Sequence, residues 1–169
     1  ATRRNPIRPM SQSISVSNRP RCNRHILVMS PEPKQLKNGA GLAAACPDTT
    51  IVLNHCGVPD IAGGKLDPCR AEMTALAAHP NVYCKLSGLL AYCSHGDANQ
   101  AAIQPYFEHA LAEFGANRMV WGSDWPVVDL ANGLPDWLAV TQSILGALSD
   151  DEAAAIGSET ARKIFGLHT

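Results

Sequence analysis

The chain has 169 residues, 46% hydrophobic and 17% charged, with a formal net charge of −1. That length holds one domain with a sizeable core rather than two ordinary ones. The charge excludes a globally basic nucleic-acid binder, the hydrophobic content argues against wholesale disorder, and no apolar run approaches the roughly 20 residues of a membrane helix.

The small net charge conceals an asymmetry. Residues 1–37 carry eight basic residues, Arg3, Arg4, Arg8, Arg19, Arg21, Arg24, Lys34 and Lys37, against Glu32 as their only acid. The stretches 1–37 and 38–169 therefore carry +7 and −8. Five prolines interrupt the first stretch, and proline removes backbone donors and breaks helices. Its Arg- and Ser-rich, acid-poor composition suits a transit peptide or a basic arm. Its arginines, however, show no helical spacing against an apolar face, and no aromatic residue sits among them to stack on bases. The expectation is a poorly organised lead over 1–37, ahead of one domain over 38–169, with no nucleic-acid partner. The lead's apolar cluster, Ile26-Leu27-Val28-Met29, offers at most a short strand. No apolar core of a secretory signal follows the basic residues. The six cysteines, Cys22, Cys46, Cys56, Cys69, Cys84 and Cys93, form no C-x-x-C pair. They read as reduced thiols in a cytoplasmic protein, with Cys46, Cys69 and Cys84 as small core residues.

Beyond the lead, a strand–helix unit recurs. Residues 49–55 read T-T-I-V-L-N-H, a buried strand with Asn54-His55 at its carboxyl end. Asp67 is expected to cap a helix over 68–78, with Pro68 in its first turn and Met73, Leu76 and Ala77 as its apolar stripe. Residues 81–86 give a second strand ending at Ser87-Gly88, and 89–99 a loop. A helix over 100–114 places Ile103, Phe107, Ala110, Leu111 and Phe114 on one side and stops at Gly115. Residues 118–122 give a third strand, with Ser123-Asp124 at its end. A helix over 134–148 follows. Ser149 to Glu152 then forms a capping box that opens a last helix to about Phe165. The alternation predicts an α/β architecture with parallel strands, whose sites lie at the carboxyl ends of the strands.

The polar residues of the chain gather at those ends. His55 closes an apolar strand, where imidazole binds a metal, moves a proton, or is simply held by a backbone carbonyl. Asp124, in G-S-D-W-P, binds a metal, takes a proton from water as general base, or caps a turn. Lys85 lies inside an apolar strand, on the face of Tyr83 and Ser87. It either holds a substrate carboxylate or carbonyl oxygen, or packs its stem while its amine reaches water. With Lys85, the candidate substrate contacts are Ser87, Trp125 and His95, the last in the loop after the second strand. His79, His109 and His168 read as structural or surface residues. Neither a G-x-S-x-G elbow nor a phosphate-binding glycine loop is present.

Three runs, I-V-L-N-H-C-G-V-P at 51–59, N-V-Y-C-K-L-S-G-L at 81–89 and F-G-A-N-R-M-V-W-G-S-D-W-P-V at 114–127, together resemble the amidohydrolase-related family. They are most similar to its TIM-barrel lactonase branch of fuconolactonase-like, sulfomuconolactonase-like and pyrone-dicarboxylate lactonase-like hydrolases. The closing S-D-D-E…T-A-R-K-I-F-G-L resembles the family's last helix. The resemblance covers about residues 40–169. It implies a (β/α)8 barrel, represented here by about the last three βα units. It also implies water attack on a lactone, ester or amide carbonyl, with Asp124 as base and His55 and Asp124 as ligands of one divalent metal, zinc foremost, where the member uses one. Other members work without metal. The substrate implied is a lactone or carboxylated cyclic ester. The family's first-strand H-x-H pair has no counterpart here. The chain is therefore expected to be a fragment, a truncated product or half of an assembly, capable of self-association and inactive or weak alone.

Overall fold

A computed structural model of the chain describes residues 26–30 and 36–167. The lead up to residue 25, with Cys22, and the terminal His168 lie outside the described residues. Four strands, β1 (Ile26–Met29), β2 (Thr50–Leu53), β3 (Val82–Leu86) and β4 (Met119–Trp121), form one parallel sheet in the order β1-β2-β3-β4. Three match the predicted strands. The fourth is the apolar cluster in the lead, with Ile26 beside Thr50 and Val28 beside Val52.

The strands are joined through α1 (Gly39–Ala45), α2 (Cys69–Ala77) and α3 (Gln100–Phe114). After β4 come α4 (Leu134–Leu145), α5 (Asp150–Ala154), a π turn (Ala155–Glu159) and α6 (Thr160–Phe165). Neighbours in space are thus neighbours in sequence. With right-handed crossovers, that order keeps the connecting helices on one face and winds the sheet as a barrel does, without the reversal of a doubly wound sheet.

The core lies between sheet and helices. Ile51, Leu53, Val82, Cys84, Leu86 and Met119, alternate residues of their strands, are fully buried with Leu76, Ile103, Phe107 and Trp137. Each large apolar side chain buried there contributes about 1.5–3 kcal/mol. The intervening residues Tyr83 and Lys85 take the other face and are half-buried. The Ser149–Glu152 capping box forms as expected. Asp67 does not cap α2: Pro68 occupies that position without a side-chain bond, and Asp67 pairs with Arg70 at 3.0 Å. The carboxylate turns to the nearby guanidinium instead, an exposed pair worth about 0–1 kcal/mol.

Two polar side chains fasten the amino ends of the strands. Arg118, just before β4, donates to the carbonyls of Ala77 (2.8 Å), His79 (3.2 Å), Phe114 (3.1 Å) and Glu113 (3.2 Å), and its guanidinium lies 5.4 Å from the centre of the Phe114 ring. Asn81, just before β3, donates to the carbonyls of Cys46 and Thr49, both at 3.0 Å. These carbonyls fall at helix ends and connections, where intrahelical partners run out. Both residues serve the scaffold at the end of the sheet opposite His55 and Asp124.

Candidate active site

β2 stops at Leu53, and residues Asn54–Gly57 leave it in a 3₁₀ turn rather than continuing the strand to His55. His55 (φ 53°), Cys56 (φ 48°) and Val58 (φ 57°) are left-handed, as is Asp124 (φ 58°) after β4. These are the non-glycine residues of positive φ among the described residues. Such backbone costs about 1–3 kcal/mol per residue and persists where the surroundings over-determine it. Here it is confined to the two segments that carry His55 and Asp124.

The two side chains meet. His55 Nε2 lies 3.8 Å from Asp124 Oδ1, and each side chain is 14% exposed. That gap is too long for a hydrogen bond and leaves the pair open to a third group. On its other side, His55 Nδ1 is hydrogen-bonded to Ser87 Oγ at 2.9 Å. Ser87 is fully buried, which suits it to orienting the imidazole and keeps it from a substrate. If Nδ1–H donates to Ser87, Nε2 offers its lone pair; if Ser87 donates, Nε2–H faces Asp124.

Gly88 makes this meeting feasible. Its φ is +68°, and a β-carbon there would lie 2.7 Å from Asp124 Oδ2 and 2.7 Å from His55 Nδ1. Lys85 crosses Gly122 of the next strand. Among the described residues no carboxylate lies within ion-pair distance of its ammonium. Asn54 donates to Ser30 Oγ at 2.6 Å, while its buried Oδ1 has no partner among the described residues.

One residue at this site was absent from the sequence reading. The ring of Tyr92 packs edge-on to His55, with centroids 6.0 Å apart and planes at 63°. Burial first, and then the Asp124 charge, push its phenol above its ordinary pKa. Only its place in the loop after β3 could have suggested it. Trp125 follows Asp124 and is 68% exposed on the rim. His95 is brought elsewhere: it is exposed and lines a separate pocket of about 200 Å³ with Leu90, Leu130 and Asn132. A cleft of about 640 Å³, lined by Ile61, Leu66, Asp97 and Tyr106, also holds none of the site residues. The chemistry, rather than cavity volume, marks the site. Cys69 is not offered as a nucleophile: burial, with Cys56 and Glu72 nearby, pushes its thiol up to about 12, and thiolate is the reactive form.

The 3.8 Å between His55 Nε2 and Asp124 Oδ1 is compatible with two ligands of one zinc ion, which His55 and Asp124 would supply. A catalytic zinc takes three protein ligands, and among the described residues no group of three His, Cys, Asp or Glu side chains is placed to hold a metal. The described residues thus do not complete the ligand set of a catalytic zinc.

The chain matches the model of the amidohydrolase family over residues 27–167, and it belongs to that family. It is 41% identical over 111 residues to an L-fucono-1,5-lactonase of Burkholderia ambifaria, across 63% of this chain and 38% of that protein. A 2-pyrone-4,6-dicarboxylate hydrolase of Comamonas testosteroni is 29% identical over 97 residues, 52% of this chain and 31% of that one. The crystal structure of an amidohydrolase from Burkholderia multivorans with bound Zn superposes with a TM-score of 0.79 at 29% identity, over 85% of this chain and 53% of that chain. The chain therefore spans less than half the length of these curated relatives and about half of the solved structure. Its four parallel strands form a partial TIM barrel.

Proposed function

We propose that the chain carries the water-activating part of a lactone hydrolase. The observation that carries this reading is the His55–Asp124 pair, fixed across two strand ends by left-handed backbone and admitted by Gly88. Asp124 takes a proton from water as its oxygen bonds to the lactone carbonyl carbon, and the carbonyl electron pair moves onto oxygen. When that pair returns, the ring C–O bond breaks. The proton held by Asp124 passes to the departing oxygen, leaving a hydroxy acid. His55, held by Ser87, stands 3.8 Å from the carboxylate and orients it. Lys85, without a counter-charge among the described residues, meets a carboxylate or carbonyl oxygen of the substrate, and Trp125 offers an exposed ring at the rim. A divalent metal, when bound, polarises the carbonyl and acidifies water; no step here depends on it. The names of the lactonase relatives support the substrate class.

Hydrolysis by the full chain alone is expected to be weak. The test is L-fucono-1,5-lactone hydrolysis by the full chain and by Asp124→Asn. The variant is expected to lose at least a hundredfold, and unchanged hydrolysis would overturn the assignment. A second reading, a partial barrel serving as a non-catalytic subunit, is favoured by Ile26, Leu27 and Val28 of β1, which are 36%, 41% and 48% exposed. A metal-free oligomer on size exclusion, without hydrolysis, would support it.

A further inference from the structure

Among the described residues, Tyr106 is buried and Tyr92 half-buried, and they use their hydroxyls differently. Tyr106 donates to the carbonyls of Asp60 and Lys65, both at 3.4 Å, and so fastens the loop after β2. Tyr92 makes no hydrogen bond through its hydroxyl among the described residues, although its ring packs against His55. The Tyr92 hydroxyl keeps contact with solvent, so an arriving molecule can reach it. On a ring packed against His55, and with no partner among the described residues, it is a donor that such a molecule can engage.

The placement of Tyr92 is rigid. It ends the 3₁₀ turn Leu89–Tyr92, which starts from left-handed Gly88, the residue packed between His55 and Asp124. Leu89 and Leu90 anchor the turn in the core. The Ala91 N–H donates to the Gly88 carbonyl at 3.1 Å. The Tyr92 carbonyl accepts from Ala62 N–H at 3.0 Å, which ties the turn to the loop that follows His55. One short segment therefore fixes both the gap that admits the pair and the phenol beside it.

We propose that the Tyr92 hydroxyl donates the hydrogen bond that holds the lactone carbonyl oxygen and steadies the negative charge this oxygen takes up when water attacks. The assignment rests on the lactonase reading above. The carbonyl carbon then lies between the water held by Asp124 and the oxygen held by Tyr92. As the new C–O bond forms, Asp124 gains the proton of water, and the hydrogen bond from Tyr92 shortens onto the oxyanion without transferring its proton. When the ring C–O bond breaks, the proton on Asp124 leaves with the ring oxygen, and both residues return to their starting state. A preorganised donor aimed at developing charge is worth about 10²–10³ in kcat.

The experiment compares the full chain with Tyr92→Phe, which keeps the ring against His55 and deletes only the hydroxyl. L-fucono-1,5-lactone is the substrate, its hydroxy acid the binding probe, and Asp124→Asn the reference. Tyr92→Phe is expected to lower kcat by about 10²–10³, with KM within threefold and an unchanged melting temperature. Wild-type kcat in Tyr92→Phe, beside a dead Asp124→Asn, would overturn the role of Tyr92 and leave the lactonase reading standing. A fall in kcat accompanied by a lowered melting temperature would make Tyr92 structural and likewise overturn the role. If the chain binds the hydroxy acid without turnover, Tyr92→Phe is expected to weaken that binding about tenfold, the effect of one hydrogen bond; equal affinity overturns the proposal. A chain that neither binds nor hydrolyses would overturn both readings together.

Discussion

Lys85 and Gly122 occupy one space on adjacent strands: a β-carbon at Gly122 would lie 2.5 Å from Lys85 Cε. The lysine stem lies flat across the neighbouring strand because that strand has no side chain there. The half-buried ammonium is held near the rim and away from the helix-side core. Gly122→Ala is expected to push the stem aside, raise KM for a carboxylate-bearing lactone about tenfold, and lower stability by about 1–3 kcal/mol through overpacking. Steady-state kinetics and thermal melts of the variant check this, and an unchanged KM would remove Lys85 from substrate binding.

Gly88→Ala tests the geometry of the His55–Asp124 pair without altering either residue. The new methyl meets both functional groups at 2.7 Å and also imposes a left-handed conformation on alanine, at about 1–2 kcal/mol. The folded variant is expected to lose hydrolysis about as completely as Asp124→Asn. Circular dichroism and the lactone assay together check the outcome; a folded, fully active Gly88→Ala would show that the pair is not the working site.

Arg118→Lys is expected to leave the site alone and weaken the scaffold. Lysine cannot reproduce a fork that reaches the carbonyls of Ala77, His79, Phe114 and Glu113. Carbonyls left short of partners cost about 1–3 kcal/mol each, so a loss of about 2–4 kcal/mol is expected in denaturant melts. The lactone hydrolysis of the folded fraction should not change.

The capping box gives a pH dependence with a defined sign. Hydrogen bonds from Ser149 hold the Glu152 carboxyl below its ordinary pKa. A folded-state pKa below the unfolded one gives stability that is fully present above the ordinary glutamate range and fades as the pH falls through the lowered folded value. Ser149→Ala is expected to lower the melting temperature by about 2–4 °C at neutral pH. The difference from the wild type should shrink as the pH falls through the glutamate range, as paired melts would show.

The strands were legible where composition and period agreed. The runs at 49–55, 81–86 and 118–122 are β-branched or apolar and bounded by glycine or proline, and each contains a strand. β1 was visible only as four apolar residues in a basic stretch; pairing with β2 makes it a strand, and pairing is not a local property. α1 was missed because G-A-G-L-A-A-A holds one large apolar residue, so no helical stripe shows. At the site, strand-end position was enough to single out His55 and Asp124. It could not show that left-handed backbone turns them toward each other, because φ at His55 and Asp124 depends on what packs around them. Tyr92 escaped for a related reason: its place in the loop after β3 is local, but the packing of its ring against His55 is not.

Arg118 and Asn81 fasten the strands where they begin, and His55, Ser87 and Asp124 work where they end. Each strand thus has one end answering to folding and another answering to chemistry, a few residues apart. Damage at the two ends has different signatures. A change at Arg118 is expected to lower the amount of folded protein and spare the His55–Asp124 pair, whereas a change at Asp124 itself is expected to spare the fold and alter that pair. The rim can therefore be varied while the clamps beneath keep the sheet assembled.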